Sequence, residues 1–110
     1  MEELSREEEL DLSVEWQTVK DLTKGAEPAS WALAVIEAEK IFRETISLVS
    51  FGESLRDQIK NARAVLRNLD ELLAARELHR RIVSEVGFLP TREEVTRALE
   101  SYFQAILDLT

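Results

Sequence analysis

Three glycines and two prolines are all that interrupt this chain of 110 residues, and that scarcity constrains the fold more than any other feature. An all-β domain needs a turn roughly every 8–12 residues, most of them built on glycine, proline or a short polar pair. Here Pro28 and Gly52 bracket one segment without breakers, Gly52 and Gly87 bracket another, and Pro90 precedes a third. Long helices with short connections are what such spacing permits. The length supports one hydrophobic core and not two, so one domain is expected.

Apolar periodicity places the helices. After Pro90, Thr91-Arg-Glu-Glu94 forms a capping box, in which hydroxyl and carboxylate satisfy each other's backbone N–H. Behind it Val95, Ala98, Leu99, Tyr102, Ile106 and Leu109 recur at the spacing of one helix face. Pro28 suits the first turn of a helix, where its missing N–H costs nothing; the pattern predicts a helix from there to about Phe51, stopped by Gly52. On a helical wheel Trp31, Ala34, Val35, Ala38, Ile41, Phe42, Ile46, Leu48 and Val49 share a broad arc, with Glu39, Lys40, Arg43, Ser47 and Ser50 opposite. So wide an arc marks a core helix with more than one neighbour. Glu37 and Glu44 sit at its border. Ser54 followed by Asp57 opens a short helix through about Ala62, and another is expected from about Asn68 to Val86, before Gly87.

Residues 10–23 fit two readings. Leu10, Leu12, Val14 and Trp16 alternate like a strand, while Leu12, Trp16, Val19 and Thr23 keep helical spacing. No second strand exists to pair with, so a helix is favoured, from about Ser13 to a closing Gly25. The expected fold class is all-α, an antiparallel four- to five-helix bundle.

Charge is unevenly placed. Residues 1–39 hold eleven acids against three bases and the remainder holds eleven of each, so the net charge of −8 lies in the first third. An acidic leader over residues 1–12, expected to be flexible, precedes a single helical domain over 13–110. Non-specific nucleic-acid binding by the whole molecule is disfavoured, because phosphates are drawn to positive potential. The absence of cysteine removes disulfides, thiolate metal sites and cysteine nucleophiles. The most apolar segment, Trp31 to Phe51, is broken by Glu37, Glu39, Lys40, Arg43 and Glu44, so no membrane span is expected. The opening residues carry neither a basic region nor an apolar run, and a cytoplasmic location is expected.

The helix after Asn68 carries the main anomaly. Its apolar arc is Leu69, Leu72, Leu73, Ala75, Ile82, Val83 and Val86; Arg76 and His79 project into it and Arg80 sits at its edge. A buried guanidinium needs a partner, since an unpaired buried charge costs several kcal/mol. Glu37 and Glu44 are the nearest candidates by position. The outcome is either an ion pair, within the bundle or across a dimer contact, or a polar pocket for a ligand or phosphate. His79 lacks a second ligand at i+3 or i+4, where Ile82 and Val83 stand, so no metal is expected there. Arg56, Lys60, Arg63 and Arg67 fall at i, i+4, i+7 and i+11, which on a continuous helix makes one basic stripe: a solvated face, or a face for RNA or an acidic partner. No glycine-rich phosphate loop, paired metal motif or nucleophile elbow is present, and no cofactor is implied.

The order of Trp16, Ser30-Trp31-Ala-Leu-Ala-Val-Ile-Glu-Ala-Glu39, Phe51-Gly-Glu-Ser-Leu-Arg-Asp-Gln-Ile59, Ala74-Ala-Arg-Glu-Leu-His-Arg-Arg-Ile-Val-Ser-Glu85 and the capped last helix resembles the HEPN superfamily and DUF4145-like domains. The resemblance covers about residues 16–110. It implies an antiparallel helical bundle, commonly dimeric, with many members acting as metal-independent ribonucleases. Their signature is an arginine, often followed by asparagine, with a histidine four to six residues on. In the matching stretch His79 stands for the arginine, Arg80 for the asparagine and Ser84 for the histidine, and no histidine follows either residue. Without that imidazole the proton-transfer pair is missing. The resemblance therefore implies a non-catalytic module acting through homodimerisation and protein or RNA-associated contact, with Arg76, His79, Arg80 and Ser84 as remnants or a repurposed pocket. Two other readings stay open: an atypical ribonuclease or nucleotide-handling enzyme using the Arg76/Arg80 face, and an antitoxin or adaptor whose acidic leader binds a basic partner.

Overall fold

The computed structural model describes residues 3–110. Six helices follow one another: α1 (Arg6–Leu12), α2 (Val14–Leu22), α3 (Pro28–Val49), α4 (Leu55–Ala62), α5 (Leu69–Ser84) and α6 (Arg92–Leu109). No strand occurs among the described residues. The fold class is all-α, and no described helix is long and apolar enough to cross a membrane.

The helix starts follow their capping chemistry. Thr91 accepts from the Glu94 N–H at 3.1 Å while Glu94 accepts from the Thr91 N–H at 2.9 Å, and Ser54 accepts from Asp57 N–H at 3.1 Å. Pro28 opens α3. α3 ends at Val49, with Ser50 already extended, ahead of the expected stop at Gly52; Gly52 answers a steric need instead, since a Cβ there would stand 2.7 Å from the Gln58 nitrogen and 2.8 Å from the Asp57 Cβ. Gly87 follows α5 with φ of 78°, open to glycine at no cost.

Two expectations near the N-terminus differ from the structure. Where charge density suggested a frayed leader, α1 forms, because Ser5 and Glu8 make a second capping box. Ser13 then breaks the helix with an extended backbone and caps α2 through the Trp16 N–H at 3.2 Å. Gly25 does not close α2; the helix ends at Leu22 with Thr23, whose hydroxyl donates to the Lys20 carbonyl at 2.7 Å.

α3 and α6 form the centre. Trp31 lies by Arg92, while Glu39 and Phe42 both meet Tyr102, so the two helices run in the same direction. Their buried faces, Val35, Ala38, Phe42 and Ile46 against Val95, Ala98, Tyr102 and Ala105, alternate large and small side chains. α5 flanks this pair through Leu72, Ala75 and Leu78 and runs antiparallel to α6, since the Arg67 N–H just before it donates to Asp108 at 2.9 Å. α2 flanks the other side, packing on α3 and not along α6; the Trp16 ring still reaches Phe103, 5.2 Å between centroids.

The result is flat, 40 × 38 × 19 Å. It exposes 7282 Å², against about 6,200 Å² expected for a globular monomer of its mass. Part of that excess is apolar. Leu48, Val49, Val83 and Val86 were assigned to the inner arcs but are exposed, Leu48 and Val86 almost fully, because each lies in the last turn or just beyond the end of its helix, where no neighbour continues.

Candidate functional site

The polar centre of the molecule is Glu39, and the wheel had placed it outside. Its side chain is 2% exposed. Lys40, Arg43 and Ser47 of the expected polar strip are exposed, but Glu39 at its edge turns into the seam where α5 and α6 both meet α3. Three donors converge on the carboxylate. Tyr102 of α6 donates to Oε1 at 2.9 Å, Arg76 of α5 donates to Oε1 at 3.2 Å, and Arg43, one turn along α3, donates to Oε2 at 2.5 Å. His79 Nδ1 stands 3.9 Å from Oε2. A buried carboxylate with one partner would be a burden; one with three donors has most of its lone pairs engaged. Among the described residues no buried side-chain polar atom lacks a partner.

The protonation states follow. Burial pushes the Glu39 carboxyl up, but hydrogen bonds from Arg43 and Tyr102 and the charges of Arg76 and His79 outweigh it and hold the group below the usual carboxylate range. Burial pushes the Tyr102 phenol up, as do the charge and hydrogen bond of Glu39. For His79, burial lowers the basicity, Glu39 works against that, and Arg43 and Arg76 add to it. The net direction is downward, so the imidazole is neutral at pH 7 despite its carboxylate neighbour.

Of the residues singled out from sequence, the structure brings Arg76 and His79 to this cluster and leaves the others off it. Glu37 is half-buried and Glu44 exposed, and neither forms an ion pair among the described residues. Arg80 points outward; it holds Glu77 through Nε at 2.9 Å and Nη2 at 2.6 Å, and this contact raises the guanidinium and lowers the carboxyl. Ser84 is exposed and its hydroxyl donates to the Arg80 carbonyl at 2.5 Å. The basic stripe is also shortened. α4 ends at Ala62 with Arg63 as its cap, so Arg56, Lys60 and Arg63 share one short helix while Arg67 lies beyond it, 3.5 Å from Asp108.

Outside the Glu39 cluster, Arg43, Leu73, Arg76, Glu77, His79, Arg80 and Val83 line a cleft of about 350 Å³. Its guanidinium groups are each committed to a carboxylate. Among the described residues His79 makes no hydrogen bond to a nucleophile, and the nearest carboxylate already has most of its lone pairs engaged. The cluster is built to hold three helices together. Two signals in the sequence point to it: a tyrosine at a core position of α6, which must find an acceptor when buried, and the i,i+4 pair Glu39/Arg43 on a helix apolar around much of its circumference.

No family model matches the chain, and neither a curated protein nor a solved structure matches it.

Proposed function

We propose that the chain is a non-catalytic, HEPN-like helical module that works as a homodimer and through protein or RNA-associated contact. One observation carries this reading: the inward Arg76 is tied to Glu39 at 3.2 Å, and the only histidine, 3.9 Å from that carboxylate, makes no hydrogen bond among the described residues to any group that could relay a proton. A general base needs an available lone pair near a substrate position, and the buried Glu39 already spends most of its own on three donors. The eroded His79-to-Ser84 stretch, with Ser84 turned to the backbone of its own helix, agrees with lost catalysis. Self-association is supported by the flat shape and the surplus surface, about 1,000 Å² on the scaling for monomers, comparable with the ~800 Å² per partner of a stable interface. The half-exposed Leu73 and Val83 beside the α3/α5 cleft give that face an apolar component.

Light scattering across a concentration series tests the dimer. The expected mass is twice 12.6 kDa; a monomer at the highest concentration overturns it. A second reading, an atypical ribonuclease or nucleotide-handling enzyme, draws on the three guanidinium groups around the cleft. Cleavage of a mixed RNA pool by wild type and by Arg80→Ala separates the two. The non-catalytic reading expects no cleavage by either; cleavage lost in the variant would replace it.

A further inference from the structure

The side of the molecule away from the Glu39 cleft carries a different feature. α2 packs on α3 and α5 packs on α6, but α2 does not pack along α6. The seam left between them is a groove of about 730 Å³. Its floor is Trp16, Val19 and Val95, and its wall is the half-buried pair Leu99 and Phe103. Along α6 it runs from Arg92 to Phe103, about 16 Å or three helical turns at the usual rise. Apolar positions on such a strip match a helix laid lengthwise, through anchors at i, i+3, i+4 and i+7.

The rim has a sign. α1, which buries none of its residues, brings Glu7, Glu8 and Asp11 to one end, and α6 adds Glu100. The two bases at the rim are occupied: Lys20 holds Asp11 at 3.1 Å, and Arg92 lies over the Trp31 ring at 5.1 Å. Glu7 and Glu100 have no ion pair among the described residues. Half of the groove's lining, from Glu7 to Thr23, comes from the third of the chain that carries the whole net charge of −8. Nucleic acid and anionic lipid are repelled by such a rim, and a second copy would bring its own acids to it.

We infer that this groove is a docking site for a basic amphipathic helix of a partner protein, its apolar stripe on Leu99 and Phe103 and its lysines or arginines at Glu7 and Glu100. The site is separate from the α3/α5 face, so its fate is independent of the dimer reading.

The probe is a synthetic fluorescein-labelled peptide with leucine at i, i+3, i+4 and i+7 and lysine elsewhere, set against the same peptide with glutamate for lysine. Anisotropy should show saturable one-to-one binding of the lysine peptide, weakening with salt, and none of the glutamate peptide. Glu100→Lys and Thr96→Arg, both at exposed groove positions, should each weaken binding about tenfold. Asp70→Lys, an equal charge change at an exposed α5 position, should leave it within about twofold. No saturable binding overturns the inference, as does equal loss in Asp70→Lys, which would mean mere charge attraction. If Thr96→Arg changes the mass in light scattering and not the peptide affinity, the groove holds a second copy and the inference fails.

Discussion

Replacing Tyr102 by phenylalanine removes one oxygen and leaves the ring, 6.0 Å from Phe42, in place. That oxygen donates to a carboxylate 2% exposed, from a side chain fully buried. A hydrogen bond to a charged group contributes about 1.5–3 kcal/mol, and Glu39 keeps its two arginines, so the expected loss is about 2 kcal/mol. For 110 residues, an unfolding entropy of about 2.1 cal/mol/K per residue converts this to a fall in Tm of about 9 °C. Thermal unfolding by far-ultraviolet circular dichroism measures it, with urea titration at equal m value as a check. The pH dependence is a second signature. Glu39 is held below its ordinary 4.5 in the fold, so its contribution is present above that value and lost as pH falls through the folded value. The gap between wild type and variant should therefore be full at neutral pH and close in acid. A drop below about 2 °C, or a gap unchanged in acid, would show that Tyr102 acts through packing alone and refute the account of the cluster.

Three further outcomes are expected. Tyr102 is the only tyrosine and its folded value is raised, so stability is present below its unfolded value of 10.0 and lost as pH rises above it; phenolate absorbance should appear together with unfolding, and a titration preceding loss of helix would contradict this. His79 is lowered below 6.5 by burial, so the native state loses stability as pH falls through 6.5 while the unfolded chain takes up the proton; His79→Leu should flatten the urea midpoint between neutral pH and that region, and an unaltered slope would count against a buried neutral imidazole. Thr91→Ala should cost about 1 kcal/mol by urea unfolding, because α6 is central, whereas Ser5→Ala should leave the global midpoint unchanged within about 0.5 kcal/mol, its helix burying nothing.

The helices were legible wherever a local signal stood alone. Thr91 with Glu94, Ser54 with Asp57, and Pro28 each fixed a helix start within the chain itself. The same signal at Ser5 and Glu8 was hidden by its setting, since a run of acids reads as a solvated leader whether or not it is capped. The site was less legible, and the reason is rotational. A wheel reports which residues share a side but not which sides are covered. α5 carries apolar residues on two sides, Leu72, Ala75 and Leu78 inward and Leu73 and Val83 toward the cleft; only the partner helices choose between them. α3 has the converse problem: its polar strip contains both the exposed Lys40 and the buried Glu39. The pairing of α3 with α5 through Arg76 was foreseeable, and the identity of the carboxylate was not.

The bond from Tyr102 to Glu39 joins positions 63 apart in sequence, and most of what surrounds it is the contact of α3 with the last helix. A nascent chain therefore cannot close this buried bond until α6 has left the ribosome, and through that interval α3, the longest of the described helices, keeps the face that α6 will cover open, with α2 and α5 beside it.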